Sequence, residues 1–316
     1  MSTQNTAQPQ DSYWADEELG KFLRLRIKTL YNADYFERIV LPLMNIPQNG
    51  HALDVGCGCG GLSIVLAGLR PDLQITGVDP ETRSVESAAQ LAEQSGLTNV
   101  KFEQGDGHQL KYEDNQFEAV MCQTVLTHVR DAEAVVREMA RVIKPGGIFM
   151  AAEYSDDGAL IMYDNVDTPN HDDAWRREYF RISQIYRRGK KALGYGDEEV
   201  GNRVPVLATN AGLDVFDMRL NDRALHLIPP YQHDKQKAYA ELLQQGIALD
   251  TSGTELKYTT EIVQAGGGSE AEALWLYYAI DEPAQLKALE ASTLTMMNSY
   301  CLYLTFARKN DDHSRD

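Results

Sequence analysis

The sequence predicts an α/β protein built on a doubly wound, mostly parallel sheet. Three observations carry this. A short apolar strand runs into a glycine-dense turn and then an apolar helix over residues 51–69. Apolar strand segments then alternate with helix-like segments as far as residue 154. Capping residues and Gly/Pro punctuation fall between them where such units need them. Ala52, Leu53 and Val55 form the first strand and enter a turn containing Gly56, Gly58, Gly60 and Gly61; Leu62, Ile64, Val65, Leu66 and Leu69 give a helical stripe leaving it. Ile75, Gly77 and Val78 make a second strand that ends at Asp79-Pro80, and a helix over 81–95 follows with Gly96 as its C-cap. Residues 100–103 read as a third strand running to Gln104-Gly105-Asp106-Gly107, and 117–122 as a fourth leading into Gln123-Thr124-Val125-Leu126-Thr127-His128-Val129. Asp131 caps a helix through Ile143, and Lys144-Pro145-Gly146-Gly147 turns into a fifth strand over 148–153.

The first turn is where chemistry is expected. Glycine removes the Cβ barrier, so backbone N–H groups at the helix N-terminus can approach a ligand closely. Asp79 falls about 20 residues after the first glycine, at a strand end, where a carboxylate accepts hydrogen bonds from both hydroxyls of a ribose. Gly56, Gly58 and Gly61 satisfy the dinucleotide fingerprint G-x-G-x-x-G. A nicotinamide cofactor, however, would bring a pyrophosphate beside the carboxylate of Asp54. S-adenosylmethionine carries no phosphate; its sulfonium and ammonium are better served near an acid, directly or through water.

The run Asp54-x-Gly56-x-Gly58-x-Gly60 resembles the first motif of class I S-adenosylmethionine-dependent methyltransferases, and the order of later motifs is similar as well: ribose acid, Gly-Asp-Gly, the segment after the fourth strand, and Lys-Pro-Gly-Gly. The resemblance covers 46–154 closely. It implies a seven-stranded sheet whose last strand returns antiparallel between the fifth and sixth, here 300–307 and 213–220. It implies S-adenosyl-L-methionine as cofactor and S-adenosyl-L-homocysteine as product, held by Asp54, Gly56, Cys57, Gly58, Gly60, Asp79, Pro80, Asp106, Gly107, Gln123 and Thr124, with Asp106-Gly107 at the adenine and Gln123 and Thr124 next to the methyl group.

The sulfonium is an activated donor, so holding the acceptor in line is the main requirement, and a base is needed only if the acceptor must lose a proton. His128 is the best single base candidate, against the alternative that it orients the local turn. Glu153 and Tyr154 join it, because the carboxyl end of the fifth strand faces the same crevice by the switch-point rule; His226 is a weaker candidate. The sequence after the fourth strand lacks Asn/Asp-Pro-Pro-Tyr, a Pro-Cys dipeptide and a bracketing glutamate pair, so adenine-N6, cytosine-C5 and protein-arginine methylation are unsupported. A small-molecule acceptor is expected. A protein or peptide acceptor, or a nonmethylating S-adenosylmethionine-binding protein, are the alternatives.

Composition is consistent with this. A formal net charge of −17 argues against nucleic acid as a partner. The densest basic group, Arg176, Arg177, Arg181, Arg187, Arg188, Lys190 and Lys191, reads as a solvated helix face pairing with nearby acids. The four cysteines lack C-x-x-C spacing, so neither a disulfide framework nor a metal site is expected. No apolar run approaches a membrane span and no signal peptide is evident, so a cytoplasmic protein without membrane association is expected; a homodimer is left open.

Around the core (46–154) the chain divides into a disordered tail (1–12), a helical cap (13–45), an aromatic-rich lid insertion (155–200), the rest of the sheet (201–308) and a flexible tail (309–316). The sheet region carries an insertion over 221–299, with helices near 235–249 and 270–295, the latter interrupted by Pro283, and a glycine hinge at 266–268. The aromatic residues of these insertions offer pocket walls, or a cage for a substrate amine.

Overall fold

The computed structural model describes residues 31–155, 162–222, 224–248, 254–279, 282–299 and 301–310. The cap expected over 13–45 therefore lies, up to Leu30, outside the described residues. Two compact units emerge. One draws on Leu30–Asp157, Glu198–Asp222 and Cys301–Asp316, the other on Gly158–Asp197 and Arg223–Tyr300.

The first unit opens with a helical segment, α1 (33–44), whose middle turn Phe36–Val40 is π-helical. It continues through β1 (His51–Val55), α2 (Gly61–Leu69), β2 (Gln74–Asp79), α3 (Thr82–Gln94), β3 (Val100–Gln104), β4 (Phe117–Gln123), α4 (Ala132–Val142) and β5 (Ile143–Tyr154). The chain then enters the second unit with β6 (Met162–Asp164) and the long α5 (Asp173–Leu193), and returns with α6 (Val204–Asn210) and β7 (Leu213–Leu220). A second excursion carries β8 (Ala224–Leu227), α7 (Asp234–Ala248), α8 (Thr254–Ala265), α9 (Glu270–Tyr277), α10 (Glu282–Glu290) and β9 (Met296–Ser299), before β10 (Leu302–Lys309) closes the first unit.

The first unit holds a seven-stranded sheet in the order β3-β2-β1-β4-β5-β10-β7. β1 to β5 pair in parallel, and β10 runs antiparallel to both β5 and β7. This is the doubly wound, mostly parallel architecture the alternation predicts. The central strands are apolar on both faces because helices cover both: Leu53, Val120, Phe149 and Ala151 are fully buried, with Leu126, Val136 and Met139 in the same cluster. Full burial of each of the larger of these side chains is worth about 1.5–3 kcal/mol. α3 is capped by Glu81, whose carboxylate accepts from the Arg83 N–H, and α4 by Asp131, which accepts from the Ala134 N–H. The Lys-Pro-Gly-Gly run is not a free turn. It lies within β5, whose register against β4 shifts between Phe117 and Ala119.

The second unit differs from expectation in several places. A three-stranded sheet, β6-β9-β8, forms where only helices were expected, with Leu225, Leu227 and Met296 facing a core completed by Tyr231, Tyr239, Leu242, Leu289 and Leu294. α8 was not anticipated. The expected helix at 270–295 is two helices and a strand, and Pro283 sits in the first turn of α10, where its missing N–H costs nothing. The glycines at 266–268 are a packing site rather than a hinge: the Cβ positions of Gly189 on α5 and Gly266 after α8 lie 1.7 Å from the Ile262 carbonyl oxygen and 2.0 Å from that of Ile185. The basic stripe of α5 is not uniformly solvated either. Arg187 and Lys190 are buried, while Arg181 pairs with Glu178 and Glu272, and Lys191 with Asp197. His226 lies on β8, in this unit.

Among the described residues no helix is long and apolar enough to cross a membrane, and no group of three or more His, Cys, Asp and Glu side chains could hold a metal ion. The cysteines are free thiols.

Candidate active site

The carboxyl ends of β1, β2, β4 and β5 bring most of the sequence-predicted residues together in the first unit. Leaving β1, the chain turns so that the N–H groups of Gly56 and Cys57 both donate to the Val78 carbonyl, at 2.8 and 2.9 Å, which fastens the turn to β2. Gly56 has φ +68°, and a Cβ there would stand 2.5 Å from a Val125 methyl group; the turn and the segment after β4 thus interlock through a missing side chain. Gly60 is similarly crowded by the Phe102 ring, as is Gly77 on β2, which sequence reading placed in a strand without a role. Gly58 is the exception. It has φ +50°, and the space its Cβ would occupy has nothing within 4 Å.

The two acids of the motif do different work. Asp54 is buried under the turn and accepts a 2.6 Å hydrogen bond from the Ser63 hydroxyl in the first turn of α2. Burial pushes its carboxyl up to about 7, with the Ser63 bonds pulling the other way. It braces the strand–turn–helix junction, a role for which Ser63 gave no signal in sequence. Asp79 stands at the end of β2 and accepts from the Gly58 N–H at Oδ2 and the Glu81 N–H at Oδ1, each at 2.9 Å. Burial raises its carboxyl, and those two backbone donors oppose the rise. Pro80 follows it, its carbonyl accepting from the Gln104 amide at 3.1 Å. Asp106 is exposed and receives at Oδ1 both the backbone N–H and the ring Nδ1 of His108, at 2.9 and 2.8 Å. Gly107 packs close to Val55.

The segment after β4 is held from below and above. Gln123 Oε1 accepts from the Tyr31 hydroxyl at 3.0 Å, a contact invisible in sequence because it joins residues far apart in the chain. Thr124 adopts φ +51°, a left-handed conformation costing a threonine roughly 1–2 kcal/mol. Its N–H donates to the Ala152 carbonyl at 2.9 Å, and the His128 N–H to the Val125 carbonyl at 2.9 Å. Tyr154 ends β5, in register with Leu302 of β10. Glu153 departs from expectation. It does not open into the crevice: it is 0% exposed, and its carboxylate accepts the N–H groups of Val125, Leu126 and Thr127 at 2.8, 3.0 and 3.4 Å, with the Cys122 thiol at 3.7 Å. The switch-point rule locates the strand end, but strand alternation turned this side chain into the core. Burial raises the Glu153 carboxyl to about 7 against those three donors.

An open sheet of this order, with a glycine turn after β1 and an acid after β2, is the class I methyltransferase fold. Residues 46–189 match the family described as a methyltransferase domain. The sterol 24-C-methyltransferase erg6 of Aspergillus fumigatus is 37% identical over 129 residues, covering 40% of this chain and 33% of that protein. The demethylmenaquinone methyltransferase of Geobacillus stearothermophilus is 37% identical over 117 residues, covering 37% of this chain and 50% of that protein. The chain thus spans between a third and a half of the length of these curated relatives. Among solved structures, the cyclase SpnF superimposes with a TM-score of 0.51 at 19% identity, covering 88% of this chain and 81% of that one. A putative methyltransferase from Bacillus halodurans C-125 gives 0.50 at 17% identity, covering 89% and 100%. The methyltransferase-domain match thus falls on residues 46–189, and the sheet to which it contributes β1 to β5 has the class I methyltransferase fold.

Proposed function

We propose that this protein transfers a methyl group from S-adenosyl-L-methionine to a small-molecule acceptor, releasing S-adenosyl-L-homocysteine. The observation that carries the reading is the pairing of Gly58 with Asp79. Gly58, which opens onto free space where Gly56 and Gly60 are crowded, donates its N–H to the acid at the end of the neighbouring strand. Asp79 keeps lone pairs on both oxygens for the two ribose hydroxyls. Asp106 keeps Oδ2 for the adenine amine, while His108 holds Oδ1. Gln123 and Thr124 border the methyl group, and Asp54 supports the turn from beneath rather than by direct contact. When bound, the cofactor supplies a methyl group already activated on a sulfonium. The chain's task is then to orient the acceptor and exclude water, and His128 and Tyr154 are the candidate proton acceptor and orienting group.

Two relatives are named for sterol and demethylmenaquinone methylation, which supports a lipophilic small molecule as the first acceptor to try. Incubation with S-adenosylmethionine and either a sterol or demethylmenaquinol, with S-adenosylhomocysteine read by mass spectrometry, tests the reaction. Acceptor-dependent product supports it. Tight cofactor binding without product from any small acceptor favours a nonmethylating role, which the sharing of this fold with a cyclase makes a real alternative.

Gly58→Val tests the cradle. A branched side chain would fill the open space at a left-handed position, so binding of S-adenosylhomocysteine is expected to fall below detection while the circular dichroism spectrum is preserved. Normal affinity in this variant would mean that the turn does not meet the cofactor.

A further inference from the structure

We infer that Glu153 is a positioning residue, whose single oxygen Oε1 sets the backbone of residues 124–128 at the border of the methyl-transfer site. The inference rests on the methyl-transfer reading above and adds to it a residue whose oxygen, rather than its charge or its proton, is what the site uses.

The hydrogen bonds are unevenly shared. The two short ones, from the Val125 and Leu126 N–H groups, converge on Oε1; only the longer contact from Thr127 reaches Oε2. The segment's other backbone bonds, from the Thr124 N–H to Ala152 and from the His128 N–H to Val125, leave the Val125 and Leu126 N–H groups to Glu153. The Thr127 hydroxyl is wholly buried and has no hydrogen-bond partner, and Thr124 holds an unfavourable φ that persists only while its surroundings dictate it. Removing Oε1 would leave the buried Leu126 N–H and the part-buried Val125 N–H without an acceptor, a penalty the segment relieves by moving. Movement of Val125 would be felt at once in the glycine turn, since its methyl groups occupy the space that Gly56 leaves free.

Proton transfer to an acceptor is not open to this carboxylate. It is fully buried and turned toward the backbone. The ionisable groups that face it are the Cys122 thiol from β4 and the Tyr31 phenol from the N-terminal segment, both driven further from ionisation by burial. Tyr303 is its register partner on β10. An amide carries the same acceptor oxygen in the same place, so glutamine should serve where leucine cannot.

The test compares E153Q and E153L in the full chain. Amide exchange at Val125 and Leu126 is measured without ligand, S-adenosylhomocysteine affinity by calorimetry, and S-adenosylhomocysteine formation with demethylmenaquinol as acceptor. E153Q is expected to keep exchange and kcat within about threefold of wild type and to leave the pH profile unchanged. E153L is expected to expose the two amides at least about tenfold faster and to lose roughly a hundredfold in kcat, with affinity changed much less. A folded E153Q that loses as much kcat as E153L, or that deletes an acidic limb of the pH profile, would overturn the inference, as would unchanged exchange in E153L. Should E153L fail to fold, E153Q decides alone. Exchange is read without cofactor or acceptor, so a wild type that forms no product refutes the methyl-transfer reading without obscuring this one.

Discussion

Asp79→Ala is expected to weaken S-adenosylhomocysteine binding at least a hundredfold. The carboxylate would lose two charge-assisted hydrogen bonds to the ribose hydroxyls, each worth roughly 1.5–3 kcal/mol. The Gly58 N–H would also lose its acceptor, which ties the glycine turn to the end of β2. Calorimetry on the full chain reads the effect, with thermal unfolding of the free protein as control for the bonds that Asp79 makes to Gly58 and Glu81. Asp79→Asn should fall between the two, because one oxygen survives. Unchanged affinity in Asp79→Ala would remove the ribose assignment.

Gly189→Ala should damage the second unit more than any other single methyl group added there. Its Cβ would stand 1.7 Å from the Ile262 carbonyl oxygen, and the obstacle is backbone rather than a side chain that can swing away. Overpacking a core costs typically about 1–3 kcal/mol and more when nothing can yield; with α5 and α8 meeting at Gly189 and Gly266, a loss at or above the top of that range is expected. For a unit of this size that is a fall of roughly 10 °C or more in its melting midpoint. Differential scanning calorimetry measures it. Gly267→Ala, at a left-handed glycine of the same unit with nothing within 4 Å, is the comparison that separates backbone strain from steric overlap. An unaltered midpoint in Gly189→Ala would mean that the two helices do not cross this closely.

The parts of the fold legible in sequence are those whose signal is local. β1, β2, β4 and β5 announce themselves because parallel strands covered on both faces need largely apolar runs, and glycine and proline mark strand ends along the core. Asp131 and Gly96 mark helix ends for the same reason. The second unit was poorly legible because its strands are only three or four residues long and draw their pairing from distant segments: Tyr163 faces Met297, which faces His226. Arg187 and Lys190 read as a solvated stripe, since helical periodicity cannot show which neighbours will cover that face.

At the site the same division holds. Gly58 and Asp79 sit in a recognisable spacing and are brought together as it implies. Glu153 was legible as a strand-end acid, yet its direction depends on which face of β5 is covered. Tyr31 could not be placed against Gln123 without the fold, and the crowding of Gly77 by Phe102 reflects a β2–β3 contact that no local pattern records.

On the reading proposed above, the turn at Gly56–Gly60 and Asp79 hold S-adenosylmethionine rather than a dinucleotide. Isothermal titration of the full chain with S-adenosylhomocysteine, run beside NAD under the same conditions, tests it most directly. Saturable one-to-one binding of S-adenosylhomocysteine, abolished in Gly58→Val, is expected, with no measurable heat from NAD. Tight NAD binding, or the absence of any binding by S-adenosylhomocysteine, would contradict it.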